Sequence, residues 1–370
     1  YYMESSIFQN IYCLIFYLFV IAFAYNGNLN SKLRTCYQAN LKIFMFLSCL
    51  IFALTYFADS DYFHYKILLN DIETNRLSAS IEDIYISLAK CVNYNYILFR
   101  LFIWGGALFI FCKTASINKI NINHVLYLLF VVYIAIFSYA RATLGMSILF
   151  LGLSVYINSK SIFKKSIGIV ILICSYFFHH SLIIAIILAL LSIPFKLTYR
   201  NLAILVFIAF LVAISIVNVF SYMFINPIAN EYLMNKLTYY TSETYNESNL
   251  TILGKFKFLL ETLSFVVPVY ISTISILKNN INNLKEFKLE NILNNTALFI
   301  VTLSIVLSFL PLATNVFAYR IRYMAFIPIC IVLTSLVDKK IVNLKNYKIC
   351  LSIGFTCEIM GLISNLKNSL

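Results

Sequence analysis

Apolar stretches alternate with short polar intervals along most of the chain, and a window of about 19 residues resolves them into candidate membrane spans. These lie near 7–25, 41–58, 94–112, 124–140, 142–158, 166–179, 181–195, 201–222, 256–277, 292–312, 321–337 and 347–365. The pattern predicts an all-α polytopic integral membrane protein with about 12 transmembrane helices (10–12), forming a single transmembrane domain over residues 1–370. The runs flanking Arg141, and those flanking His179-His180, fall below the roughly 20 residues that cross a bilayer untilted, so broken or re-entrant helices are expected there. Tyr1-Tyr2-Met3-Glu4 lacks the basic start of a cleavable signal, and the run from Ile7 is therefore expected to be a retained first helix. Two intervals, about 59–93 and 223–255, are long enough to carry function and are expected as external loops. The second holds Tyr232, Tyr239, Tyr240 and Tyr245, whose rings would either stack on sugars or form an interfacial belt.

Composition sharpens this picture. At 61% hydrophobic and 12% charged, the chain is far from the balance of a water-soluble domain. The few charges leave little extramembrane mass, which excludes a separate soluble catalytic domain. A net charge of +13 could suggest nucleic acid, but the basic residues punctuate apolar runs and no basic binding surface is formed, so no nucleic-acid partner is expected. The nine cysteines have no CxxC spacing and mostly lie inside apolar segments, indicating neither zinc nor a disulfide framework. Walker A, dinucleotide-binding, HExxH and GxSxG patterns are all missing from the sequence, which argues against ATP hydrolysis and metalloprotease chemistry. No cofactor is expected.

Charge placement orients the spans. Most of the 28 Lys and Arg fall in alternate loops, among them Lys32, Arg34, Lys113, Lys119, Lys160, Lys164, Lys165, Lys196, Arg200, Lys278, Lys339 and Lys340. The positive-inside rule makes this face cytoplasmic. Most acids, including Asp59, Asp61, Glu82 and Asp83, then lie outside with both termini.

With that topology, Asp59, Asp61, Arg141, His179, His180, Arg320 and Arg322 arrive at one membrane face, each near a helix end. Ionisable groups in apolar settings are costly unless paired, hydrated or used. Arg141 could snorkel to the interface, yet its position disfavours a merely structural arginine and its planar fork suits phosphate. The same holds for Arg320 and Arg322. His179 and His180 could be packed interfacial residues, but a neutral imidazole can also take a proton from a hydroxyl. Asp59-Ser60-Asp61 has the DxD form that binds a metal with a nucleotide sugar. Nucleotide sugars are cytoplasmic, however, so a carboxylate acting as base or orienting a cation is the preferred reading, and no metal site is assigned. Glu261 and Glu358 are further costly residues within spans, suited to a buried polar network or a proton path.

These residues resemble the EpsG-like branch of the Wzy polysaccharide polymerases, which build bacterial exopolysaccharide, capsule and O-antigen. The similarity is carried by Ser138-Tyr139-Ala140-Arg141-Ala142-Thr143-Leu144-Gly145-Met146-Ser147-Ile148, then Phe178-His179-His180-Ser181-Leu182. Asp61-Tyr62-Phe63-His64-Tyr65 and Tyr319-Arg320-Ile321-Arg322-Tyr323 add to it. The family's glutamate-proline element before the third helix has no proline here, where Ser80-Ile81-Glu82-Asp83-Ile84 stands instead. The resemblance implies a glycosyltransferase of the bacterial inner membrane with its active site facing the exterior or periplasm. It would join undecaprenyl-pyrophosphate-linked oligosaccharide repeats, moving a lipid-linked chain onto a lipid-linked acceptor. It implies Arg141, His180 and Asp61 as catalytic, with His180 the first choice of base and Asp61 the second. Arg320, Arg322, Asp59, His179 and Tyr65 would bind substrate. Membrane lipids, and a chain-length regulator and flippase of the same pathway, are the implied partners. The competing expectations are an O-antigen ligase or other lipid-linked glycosyltransferase, and a lipid-linked oligosaccharide flippase or transporter.

Overall fold

The computed structural model describes residues 62–74, 82–121, 125, 128–129, 140–225, 252–281, 284–309 and 315–369. The candidate spans near 7–25 and 41–58, most of that near 124–140, and Asp59, Asp61, Tyr232, Tyr239, Tyr240 and Tyr245 lie outside the described residues. Every regular element among the described residues is helical: α1 (Tyr62–Glu73), α2 (Asp83–Cys91), α3 (Tyr96–Ile117), α4 (Ala140–Asn158), α5 (Ile162–Cys174), α6 (Ile183–Ser192), α7 (Tyr199–Ile225), α8 (Ile252–Lys278), α9 (Lys288–Ser308), α10 (Asn315–Tyr323), α11 (Phe326–Asp338) and α12 (Leu344–Ser369). Four stretches, Tyr96–Ile117, Arg141–Asn158, Leu259–Lys278 and Lys288–Ser308, are long and apolar enough to cross a bilayer. His180–Ser192, Tyr199–Ser215 and Phe326–Asp338 are shorter apolar helices. The all-helical architecture is that of a polytopic membrane protein.

The elements differ from the hydropathy reading in two places. The interval near 59–93 contains α1 and α2. Tyr65, Leu69 and Ile72 are buried at helical spacing along α1, but helices this short and polar fall below a membrane-length window. The span expected near 321–337 is α11, which starts only at Phe326, while Ile321–Tyr323 end a separate helix, α10, that lies mostly in the interval before that span. Pro328 has no N–H for the Met324 carbonyl, so a continuous helix would lose its bond at that turn.

Two compact units partition the chain, one comprising Tyr1–Leu182 with Asn343–Leu370, the other Ile183–Val342. In the first unit α4 packs on both α3 and α5. A Cβ added to Gly152 would lie 2.5 Å from the Leu172 nitrogen, and one added to Gly168 2.6 Å from the Tyr156 nitrogen, so the α4–α5 crossing is backbone against backbone. At the C-terminal ends of α3 and α4, Asn118 donates to the Ser154 hydroxyl (3.0 Å) and Asn158 donates to Asn118 Oδ1 (2.7 Å). These helices therefore run in the same direction.

The second unit is built around α9, which packs against α6, α7, α8, α10 and α11. Its buried amides join helices that apolar contact alone would leave free to slide. Asn294 accepts from Ser272 (2.5 Å) and donates to Thr273 (3.0 Å), and Asn295 donates to the Phe195 carbonyl (3.0 Å). Glu290 accepts from Ser335 (2.6 Å) and pairs with Lys339 (2.5 Å), linking α9 to α11.

Candidate active site

The chain leaves helical geometry after Cys174 through short 3₁₀ turns, Ser175–Phe177 and His180–Leu182. The Phe178 and His179 amides both reach the Ser175 carbonyl, at 3.1 and 3.3 Å. This break exposes the Phe178 carbonyl, which accepts from the buried Tyr85 hydroxyl at 2.9 Å. Gly145 on α4 lets the segment approach closely, since a Cβ there would collide with Leu182 and meet Phe178 Cβ at 3.4 Å. His179 is thereby held beside the first turn of α4, where Arg141 sits.

Glu82 lies between them. It is the N-cap residue of α2, yet its side chain makes no capping bond to its own helix. Its carboxylate instead accepts from Arg141 Nη1 at 2.9 Å through Oε2 and lies 3.2 Å from His179 Nδ1 through Oε1. Arg141 Nε donates to the Tyr65 hydroxyl at 3.2 Å. Glu82 is only 6% exposed, whereas the Arg141 and His179 side chains keep 27% and 24% of their surface accessible. The anion is interior and its two partners form the accessible side.

Burial opposes ionisation of Glu82, but the His179 hydrogen bond and the Arg141 charge outweigh it and take its pKa down to about 2. An ionised carboxylate only accepts hydrogen bonds, so the His179 nitrogen facing it, Nδ1, must carry the proton. In the neutral ring Nε2 is then the basic nitrogen. Burial, with the Glu82 charge adding to it, pushes the Tyr85 phenol well above its ordinary value and keeps it a donor.

A second guanidinium stands behind this group. Arg100, fully buried on α3, lies 4.0 Å from the Tyr65 ring centroid and 4.0 Å from that of Trp104. Arg141 is 5.7 Å from the same Tyr65 ring and 5.8 Å from that of Tyr85. With His179 neutral, two guanidiniums and one carboxylate leave the group net cationic, an arrangement suited to a phosphate-bearing ligand.

Of the residues expected to form a site, Arg141, His179 and Tyr65 converge here around Glu82. His180 is exposed, and its ring lies 4.9 Å from that of Tyr176. Arg320 and Arg322 belong to α10 in the second unit, the former exposed, the latter buried and donating to the Thr262 hydroxyl. There Glu261 is also buried and accepts from Tyr323 at 2.7 Å. Among the described residues no cluster of three or more His, Cys, Asp or Glu is placed to hold a metal.

The sequence reading left out Glu82 as the hub, Tyr85, and Arg100 with Trp104. Arg100 carried a signal, a charge inside the apolar run near 94–112. Glu82 carried little, being one acid among several in a polar interval.

Neither curated proteins nor solved structures gave a match to this chain. The EpsG family profile, in contrast, matches residues 38–369, a stretch that includes every helix described above. On that match the chain belongs to the EpsG family, the family of Wzy-like polysaccharide polymerases.

Proposed function

We propose that the group formed by Glu82, Arg141 and His179 catalyses polymerisation of undecaprenyl-pyrophosphate-linked oligosaccharide repeats at the outer face of the bacterial inner membrane. The observation that carries this reading is one buried carboxylate holding a guanidinium and an imidazole together, each partly accessible. In the proposed reaction a hydroxyl of the lipid-linked acceptor attacks the anomeric carbon of the lipid-linked donor. Its proton passes to His179 Nε2 as the new glycosidic bond forms. The bond from the anomeric carbon to the pyrophosphate oxygen breaks, and its electron pair leaves with the lipid pyrophosphate. That leaving group needs cationic stabilisation rather than a general acid, and Arg141 supplies it. Glu82 fixes the histidine tautomer and the direction of the guanidinium. The carboxylate contact favours His179 over His180 as the base. The net-cationic site and the family membership support a pyrophosphate-linked donor.

The test is the length distribution of lipid-linked glycan in membranes carrying wild type, Arg141→Ala, His179→Ala or His180→Ala at matched protein levels. The expected result is a polymer ladder in wild type and His180→Ala, collapsing to single repeats in the other two. Unchanged ladders in Arg141→Ala and His179→Ala would remove both from catalysis. Loss of single repeats at the outer surface would point to a flippase instead.

A further inference from the structure

Arg100 is fully buried one turn into the apolar helix α3, beside the equally buried Phe99, Ile103 and Trp104. A guanidinium in such surroundings is costly unless it is paired or used. What the charge does is visible in its contacts. It lies 4.0 Å from the Tyr65 ring centroid, within the range of a strong cation–π interaction, and equally close to Trp104. The hydroxyl of that same Tyr65 accepts from Arg141 Nε. Phe99 flanks both tyrosines of the site, with ring centroids 6.2 Å from Tyr65 and 6.4 Å from Tyr85.

From this relay we infer that Arg100 is a positioning residue for the reaction: stacked on Tyr65, it fixes the phenol that orients Arg141 toward the departing pyrophosphate. The inference rests on the proposed role of Arg141. Arg100 is too deeply buried to touch substrate itself, and it reaches the Arg141 side chain through the Tyr65 ring. Glu82 restrains Nη1 of Arg141 while Tyr65 restrains Nε. Loosening the second restraint lets the guanidinium pivot about the first, and small misplacements of a charge-stabilising group are expensive in rate.

The test combines a turnover cycle with a spectroscopic readout. Arg100→Met should reach the membrane at wild-type level. It should lose about tenfold or more in polymerisation turnover, with half-saturating acceptor concentration little changed. Tyr65→Phe should show a similar loss, and Arg100→Met with Tyr65→Phe should be no worse than the poorer single variant, because both break one relay. Arg100→Lys, which keeps the charge and loses the planar stack, should fall between wild type and Arg100→Met, and it carries the same cycle should the methionine variant fail to fold. Trp104 is the chain's only tryptophan, so its emission reports on Arg100 directly. Titration of purified wild type with farnesyl pyrophosphate should shift that emission, and Tyr65→Phe should abolish the shift. Wild-type turnover in Arg100→Met, multiplicative losses in the double variant, or a shift that survives Tyr65→Phe would each overturn the relay. Arg141→Ala is the reference: if it retains full turnover, the active-site reading falls and this inference with it. If it is inactive while Arg100→Met is fully active, only the inference falls.

Discussion

Burial works against the Glu82 carboxylate, but the His179 hydrogen bond and the Arg141 charge favour its ionised form and prevail. Its pKa drops from an ordinary 4.5 to about 2 on folding. A depressed carboxylate stabilises the fold fully above the unfolded value and loses that contribution as pH falls through the folded one. Wild-type stability should therefore decline by about 3 kcal/mol between pH 4.5 and pH 2 from this group. Thermal unfolding in detergent as a function of pH, compared between wild type and Glu82→Gln, checks this: the variant should lack that portion of the acid loss. If the two curves run parallel, Glu82 is not so held. At this scale the sequence was partly legible. Arg141 and His179 stood out as charged or ionisable residues beside apolar runs, and Tyr65 through its motif. Glu82 did not, since a carboxylate in a polar interval is unremarkable until its partners are known, and these lie 59 and 97 residues away.

At the level of elements, the site depends on how closely α5 can approach α4. Gly152 and Gly168 face each other with no room for a side chain, the carbonyl of each within 2.8 Å of where the other's Cβ would be. Backbone cannot yield as a flexible side chain can, so Gly152→Ala should cost about 1–3 kcal/mol and Gly152→Leu should prevent the native packing. Melting of the detergent-solubilised protein, followed by size-exclusion monodispersity, reads the difference; a Gly152→Leu variant as stable as wild type would contradict the close crossing. Hydropathy placed most of the described helices to within a few residues, because a membrane-length apolar run is the strongest signal a sequence carries. It left most of α10 between two spans, carried the last turn of α10 across the break before α11, and left α1 and α2 as loop. Both misreadings have local causes, a proline beyond a turn and amphipathic helices shorter than the averaging window.

For the molecule as a whole, orientation across the bilayer follows from the alternation of basic and acidic intervals, and Cys91 offers a native probe of it. The thiol is exposed at the end of α2, in an interval predicted to lie outside. A membrane-impermeant maleimide should label right-side-out vesicles carrying wild type more strongly than those carrying Cys91→Ser. A Cys91-dependent signal confined to inside-out vesicles would invert the topology and move the proposed active site to the cytoplasmic face. The apolar runs by themselves determined that this chain enters a bilayer as helices, since lipid offers no partner to an unsatisfied backbone group. The family was legible separately, through short motifs spread along the chain. Only the tertiary structure decided which acid meets Arg141, which of two adjacent histidines has its tautomer set, and that Arg100 stacks on a tyrosine of the site. Hydropathy is a sum over neighbours in sequence, whereas those contacts join α1, α2, α3, α4 and the broken segment after α5, and each depends on how closely the helices pack.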